Sequence, residues 1–164
     1  MKKFICMLLV LSMAFALCAC GGDTNNDNDK TINSISKLLN IEMADKCLIE
    51  SNEPENGFVT IKVEDEKTDS EIKTEWNKLP LTENLTALIY GIESDTSSVG
   101  PYITKDDVPL FPEIENGYYY FVDQHTESTN SKDDTEIFDR NSFNLVIAIY
   151  DTDTNRLYYC QFDT

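Results

Sequence analysis

His125 is the only histidine of the chain, and it lies in Val122-Asp123-Gln124-His125-Thr126-Glu127, just past an apolar stretch. An imidazole that changes charge near neutral pH, beside a carboxylate two residues away, is the raw material of a general base. On a continuing strand, Asp123 and His125 share one face. The chemistry on offer would be hydrolysis. No nucleophile is marked for it, because Ser128, Ser131 and Ser142 lie in ordinary settings and no Gly-x-Ser-x-Gly turn is present. A strand-end histidine satisfied by its neighbours is the simpler reading, so no residue is assigned as catalytic. Zinc would require His and Cys ligands that the sequence does not supply.

Asp151-x-Asp153-x-Asn155 matches the opening of a calcium loop. The match ends at Arg156, where the sharp turn wants Gly, and at Phe162, where the bidentate Glu belongs. A hairpin turn in which Asp and Asn bond their own backbone explains the same residues. No metal and no cofactor is therefore expected. Cys47 and Cys160 fall on predicted strands and form a candidate disulfide pair. Closing so long a loop would be worth roughly 4–5 kcal/mol in the chain-entropy view, while buried single thiols are also ordinary core material. Tyr118, Tyr119, Tyr120, Tyr150, Tyr158 and Tyr159 crowd the last third. Consecutive tyrosines on a strand point to both faces. Tyr118, Tyr120 and Tyr158 are thus a candidate binding surface for a peptide, protein or glycan, since tyrosine suits wet interfaces. The alternative is a covered sheet with hydroxyls at its rim. The runs Glu64-Asp65-Glu66, Asp106-Asp107 and Asp133-Asp134 read as solvated turns.

Charge bounds the function. Thirty acidic residues face 13 basic in 164, a net of −17. Phosphate contacts need clustered Lys and Arg, so nucleic acid is excluded as a partner. Electrostatic docking on anionic lipid needs polybasic segments and is excluded too. The 41% hydrophobic content suffices for a core in one domain of this length.

The N-terminus reads as an address. Lys2 and Lys3 precede an apolar run from Phe4 to Ala19, ending in Leu17-Cys18-Ala19-Cys20-Gly21-Gly22. The run is shorter than the roughly 20 residues that span a bilayer. Over these residues the chain resembles bacterial lipoprotein precursors, whose lipobox has Leu, a variable residue, a small residue and the lipidated Cys. The resemblance implies a signal peptide over 1–19, cleavage before Cys20 and a diacylglyceryl thioether on its sulfur. The protein would then sit on the extracytoplasmic face of the cell membrane, its membrane partner reached through that lipid. Lys2 and Lys3 leave with the peptide and no acid does, so 11 basic residues face 30 acidic, a net of −19.

These groups must be positioned by the mature chain. Residues 20–30, CGGDTNNDNDK, hold no apolar side chain beyond Cys20 and read as a flexible acidic tether. Residues 31–164 read as one α+β domain. Ile32, Ile35, Leu38 and Leu39 recur at helical spacing, with Thr31 as N-cap. Asn56-Gly57 between strand-like runs at 46–50 and 58–64 signals a hairpin. A second helix begins near Asp69 and stops before Pro80. Thr82 caps a third, which ends at Gly91. Residues 93–116 hold no regular pattern but carry enough apolar side chains to lie on the fold. Strands follow at 118–122, 143–150 and 157–162, the middle one apolar nearly throughout, as a doubly covered strand is. The economical architecture is an antiparallel sheet of about five strands with two or three short helices on one face. Over Trp76–Gly91 and Phe143–Thr164 the domain resembles clostridial-type lipoproteins of unknown function, which adds export but no chemistry. The expectation is a lipid-anchored binding or interaction module rather than an enzyme. A small surface hydrolase using His125 with Asp123 is the alternative.

Overall fold

The computed structural model describes residues 24–43 and 46–164. The expected signal peptide, Cys20 and residues 20–23 of the expected tether lie outside the described residues. In chain order the elements are α1 (Thr24–Leu39), β1 (Cys47–Glu53), β2 (Phe58–Val63), α2 (Glu66–Glu75), β3 (Asn77–Lys78) and α3 (Glu83–Tyr90). Two small hairpins follow, β4 (Ile92–Glu93) with β5 (Ser98–Val99) and β6 (Thr104–Lys105) with β7 (Val108–Pro109). Then come β8 (Gly117–Asp123), β9 (Asn144–Asp151) and β10 (Arg156–Asp163).

Six strands form one antiparallel sheet in the order β1-β2-β10-β9-β8-β3. The period of two sorts β9 cleanly. Val146, Ala148 and Tyr150 enter one core, while Leu145, Ile147 and Ile149 enter another. The first core is closed by Ile32, Ile35 and Leu39 of α1 and Ile72 of α2. The second is closed by Leu85, Leu88 and Ile89 of α3, with Ile103, Phe111, Ile137 and Phe143 from the connections. Residues 145–150 are all buried, which explains a strand with no polar face.

The architecture is the expected α+β sheet, with two differences. The sixth strand is β3, whose two residues pair with Tyr118 and Tyr119 and are too few to show alternation. Two helices share one face, as expected, and the third covers the opposite one.

Caps explain where the shorter helices start. Asp65 accepts the Thr68 N–H at 2.8 Å, which holds its carboxyl below the usual range and starts α2 earlier than Asp69. Thr82 accepts the Leu85 N–H at 3.2 Å, and Gly91 closes α3 at φ 78°, both as read from the sequence. The tether is corrected. Residues 24–30 belong to α1, not to a flexible leash, and Thr31 is interior rather than a cap. Its hydroxyl donates to the Asp27 carbonyl at 3.0 Å, Ser34 donates to the Lys30 carbonyl at 2.9 Å, and Lys30 pairs with Asp27 at 3.1 Å. Once the amphipathic half of α1 is docked, each added residue gains a hydrogen bond without a new nucleus, so the polar turns propagate.

Candidate binding site

The Asp123–His125 pair is not assembled for base catalysis. Asp123 Oδ1 accepts the backbone N–H of His125 at 3.1 Å, not a ring N–H. Both carboxylate oxygens are taken by Arg140, at 3.2 Å and 2.7 Å, and the two side chains are 5% and 7% exposed. The ring instead accepts the Glu127 N–H at Nδ1, 3.2 Å away, and its Nε2 lies 3.1 Å from Ser142 Oγ. An Nδ1 that accepts leaves the proton on Nε2, so the neutral ring donates to Ser142 rather than taking its proton. That is the wrong tautomer for activating a serine. The cluster's work is structural: the buried pair pins residues 124–143 back on the end of β8.

Asp151, Asp153 and Asn155 form the β9–β10 turn. Asp151 accepts the Asp153 N–H at 2.8 Å and the Thr154 hydroxyl at 2.7 Å, while Asp153 accepts the Asn116 amide at 2.9 Å. Asn155 sits at φ 53° with its Oδ1 3.3 Å from the Tyr150 hydroxyl, which itself donates to Asp69 at 2.8 Å. Each candidate ligand is taken up by the turn.

The cysteine pairing is corrected: Cys47 and Cys160 are not bonded to each other. Cys47 lies in the first core and Cys160 in the second, on opposite faces of the sheet. Their registers on β2, opposite Val63 and Phe58, are five residues apart, or roughly 16 Å of strand. A disulfide needs Cα atoms within about 7 Å. Burial pushes the Cys160 thiol up to about 12.

The three tyrosines do not share one surface. Tyr118 and Tyr120 pack on the first core, and Tyr158 packs on the second. All three are half-buried. Tyr120 lies 5.5 Å from the Trp76 ring, and Lys132 Nζ is 3.8 Å from its centroid, a closed stack.

The concave surface lies elsewhere. Two clefts of about 410 Å³ and about 300 Å³ flank a seam where Gln161 of β10 donates its N–H to the Gly57 carbonyl at 3.0 Å. Pro54, Gly57 and Gln161 line both. The first opens on the second-core face over Ile103, Leu110 and Phe162 and is rimmed by Glu55 and Asp163. The second runs between α1 and the sheet, along Lys30, Ser34, Leu38 and Tyr159. Among the described residues no hydrogen bond or ion pair holds the side chain of Glu55 or Asp163. The seam depends on Gly57, which sits at φ +61°, where an added Cβ would meet the Gln161 carbonyl oxygen at 2.2 Å.

A third cleft, about 430 Å³, lies under α3 between Leu79, Leu81, Tyr90, Ile114 and Ile149. Its tyrosine is already engaged, because the Tyr90 hydroxyl donates to the Pro112 carbonyl at 2.7 Å, and Glu115 is the one carboxylate that lines it.

Sequence reasoning singled out neither the seam nor Arg140. Asn56-Gly57 signals only a turn, and the strand that meets it is remote in sequence. Arg140 carried a signal, being one of two arginines in the chain and set among acids. Comparison of the chain with protein-family models, curated proteins and solved structures found no match.

Proposed function

We propose that this protein is a lipid-anchored extracytoplasmic domain that works by binding, with the Gly57–Gln161 seam as its site. The observation that carries the reading is two clefts sharing one wall, with the carboxylates of Glu55 and Asp163, neither of them hydrogen-bonded among the described residues, lining the larger. The smaller cleft is mostly apolar and the larger is lined by polar and apolar groups about equally, and clefts of this size suit small ligands or single side chains. Acceptors at the rim favour a ligand rich in donors, a hydroxylated glycan or an amine-bearing peptide. The ring of His125, capped by a backbone N–H, supports binding over hydrolysis. The lipobox at Leu17–Cys20 supports the anchor.

Two experiments test this. Mass spectrometry of the membrane fraction is expected to find a chain beginning at diacylated Cys20; an unmodified Cys20 or a retained Met1 refutes the anchor. The mature chain carrying Cys20→Ser is titrated calorimetrically with cell-wall glycan fragments and cationic peptides. Binding is expected to be lost in Glu55→Lys with Asp163→Lys and kept in Glu115→Lys, at the third cleft. Turnover of ester or glycoside substrates that vanishes in His125→Ala would reinstate the hydrolase.

A further inference from the structure

We propose that α1 is a stiff post that holds the Gly57–Gln161 seam close to the bilayer, so that the seam meets only what lies at the membrane surface. The inference rests on the lipid-anchor reading and adds to it a distance. α1 starts at Thr24, four residues beyond Cys20. Whatever path those residues take, four peptide units span at most roughly 14 Å. From Thr24 to Lys30 the helix rises roughly 9 Å more. Lys30 lines the second cleft, and so do Thr31 and Ser34 on the next turn. The near wall of the seam is therefore held within roughly 23 Å of the acylated residue. A leash over residues 20–30 would instead let the body roam to roughly 36 Å in any direction.

The post is a described helix with its own bonds. Its exposed ion pair, Lys30 with Asp27, and the Thr31 and Ser34 back-bonds tie it into the docked half, where Ile32 and Ile35 are buried. Charge adds little at that range: a body of net −19 held two or three Debye lengths of roughly 8 Å from the headgroups is largely screened from them. β3 lies five strand spacings from β1, roughly 24 Å across the sheet, and Asn52 of β1 shares the second cleft with Lys30, so Lys78 on β3 stands farther than Asn52 from the foot of α1.

The full processed chain is reconstituted in phosphatidylcholine vesicles containing a headgroup-labelled quencher lipid. One fluorophore is placed through Asn52→Cys, at the second cleft, and another through Lys78→Cys on β3. Quenching several-fold stronger at Asn52 than at Lys78 is expected. Replacing residues 24–30 with a Gly/Ser heptamer is expected to level the two. Equal quenching in the native chain overturns the proposal. A nitroxide at Asn28→Cys in the Cys20→Ser chain reads the post without the anchor: helical immobilisation is expected, and a freely tumbling label overturns the proposal. A native chain that fails to enter vesicles while Asn28 is helical refutes the anchor and with it the membrane as neighbour.

Discussion

Removing Arg140 is the sharpest perturbation of this fold. The Asp123 and Arg140 side chains are 5% and 7% exposed, and the guanidinium makes two of the three hydrogen bonds the carboxylate accepts. In Arg140→Ala the carboxylate keeps only the His125 N–H and stays buried without its cation. Breaking one side of such a pair costs about 3–5 kcal/mol, because an uncompensated charge is left in a poorly solvated place. Against a total of about 5–15 kcal/mol, that is about a fifth or more of the stability, and it corresponds to a fall in Tm on the order of 10–20 °C. Asp123→Ala should cost a similar amount. The double variant should cost less than the sum, since the second substitution removes the charge that the first stranded. A matched apolar pair, Asp123→Leu with Arg140→Met, should recover most of the loss. The assay is urea unfolding of the mature chain, read on its single tryptophan. Trp76 is buried beside Tyr120 and reports the first core, so a loss seen there is global rather than a fraying of residues 124–143. Single losses under about 1 kcal/mol, the range of exposed pairs, or strict additivity in the cycle, would refute the reasoning.

Three further outcomes follow from the same geometry. Gly57→Ala is expected to cost about 1–3 kcal/mol from the left-handed backbone alone. It should also unzip the seam, seen as faster amide exchange at Gln161; unchanged exchange there would count against a shared wall. Cys160 is expected to resist iodoacetamide at pH 8 in the native protein and to react in urea, because burial raises its thiol to about 12; rapid native alkylation, followed by mass spectrometry, would contradict its placement. Burial raises Tyr90 and Tyr159 from 10.0 to about 12 and raises Tyr150 as well, where the hydrogen bond to Asp69 adds to it. The neutral hydroxyl is then favoured by folding. Its contribution is fully present below pH 10 and is lost as pH rises through about 12. Absorbance at 295 nm should show a late tyrosine class whose ionisation coincides with unfolding, and a single class titrating near 10 would refute this.

What could be read from the sequence was what the chain's periods encode. The unbroken run at 145–150 marked β9 as covered on both sides, Thr82 and Gly91 bracketed α3, and Asn56-Gly57 marked the hairpin turn. The failures share a cause. α1 extends through Asp and Asn because the docked half of the helix overrides weak local propensity. β3 consists of two residues, which have no period. The separation of Cys47 from Cys160, and of Tyr158 from Tyr118 and Tyr120, is a matter of which residue parity faces which core once strands pair. A one-residue change of register would reverse it. The seam is harder still to foresee, since Gly57 and Gln161 meet only because β10 inserts beside β2.

That insertion also governs how the chain can fold. β10 follows the other described strands in sequence, yet it lies between β2 and β9. Without residues 156–163 the sheet is two pieces: the β1–β2 hairpin under α1 and α2, and β3-β8-β9 over α3. Neither half can finish its core alone, since Leu157 and Tyr159 belong to the first core and Cys160 to the second. Closure therefore waits for residues 156–163 and joins residues about a hundred positions apart, as Arg156 meets Lys62. Pairing this distant is slow and exposes unpaired edges in the meantime. A chain lacking β10 leaves the facing edges of β2 and β9 unpaired, and a large net negative charge opposes association through them.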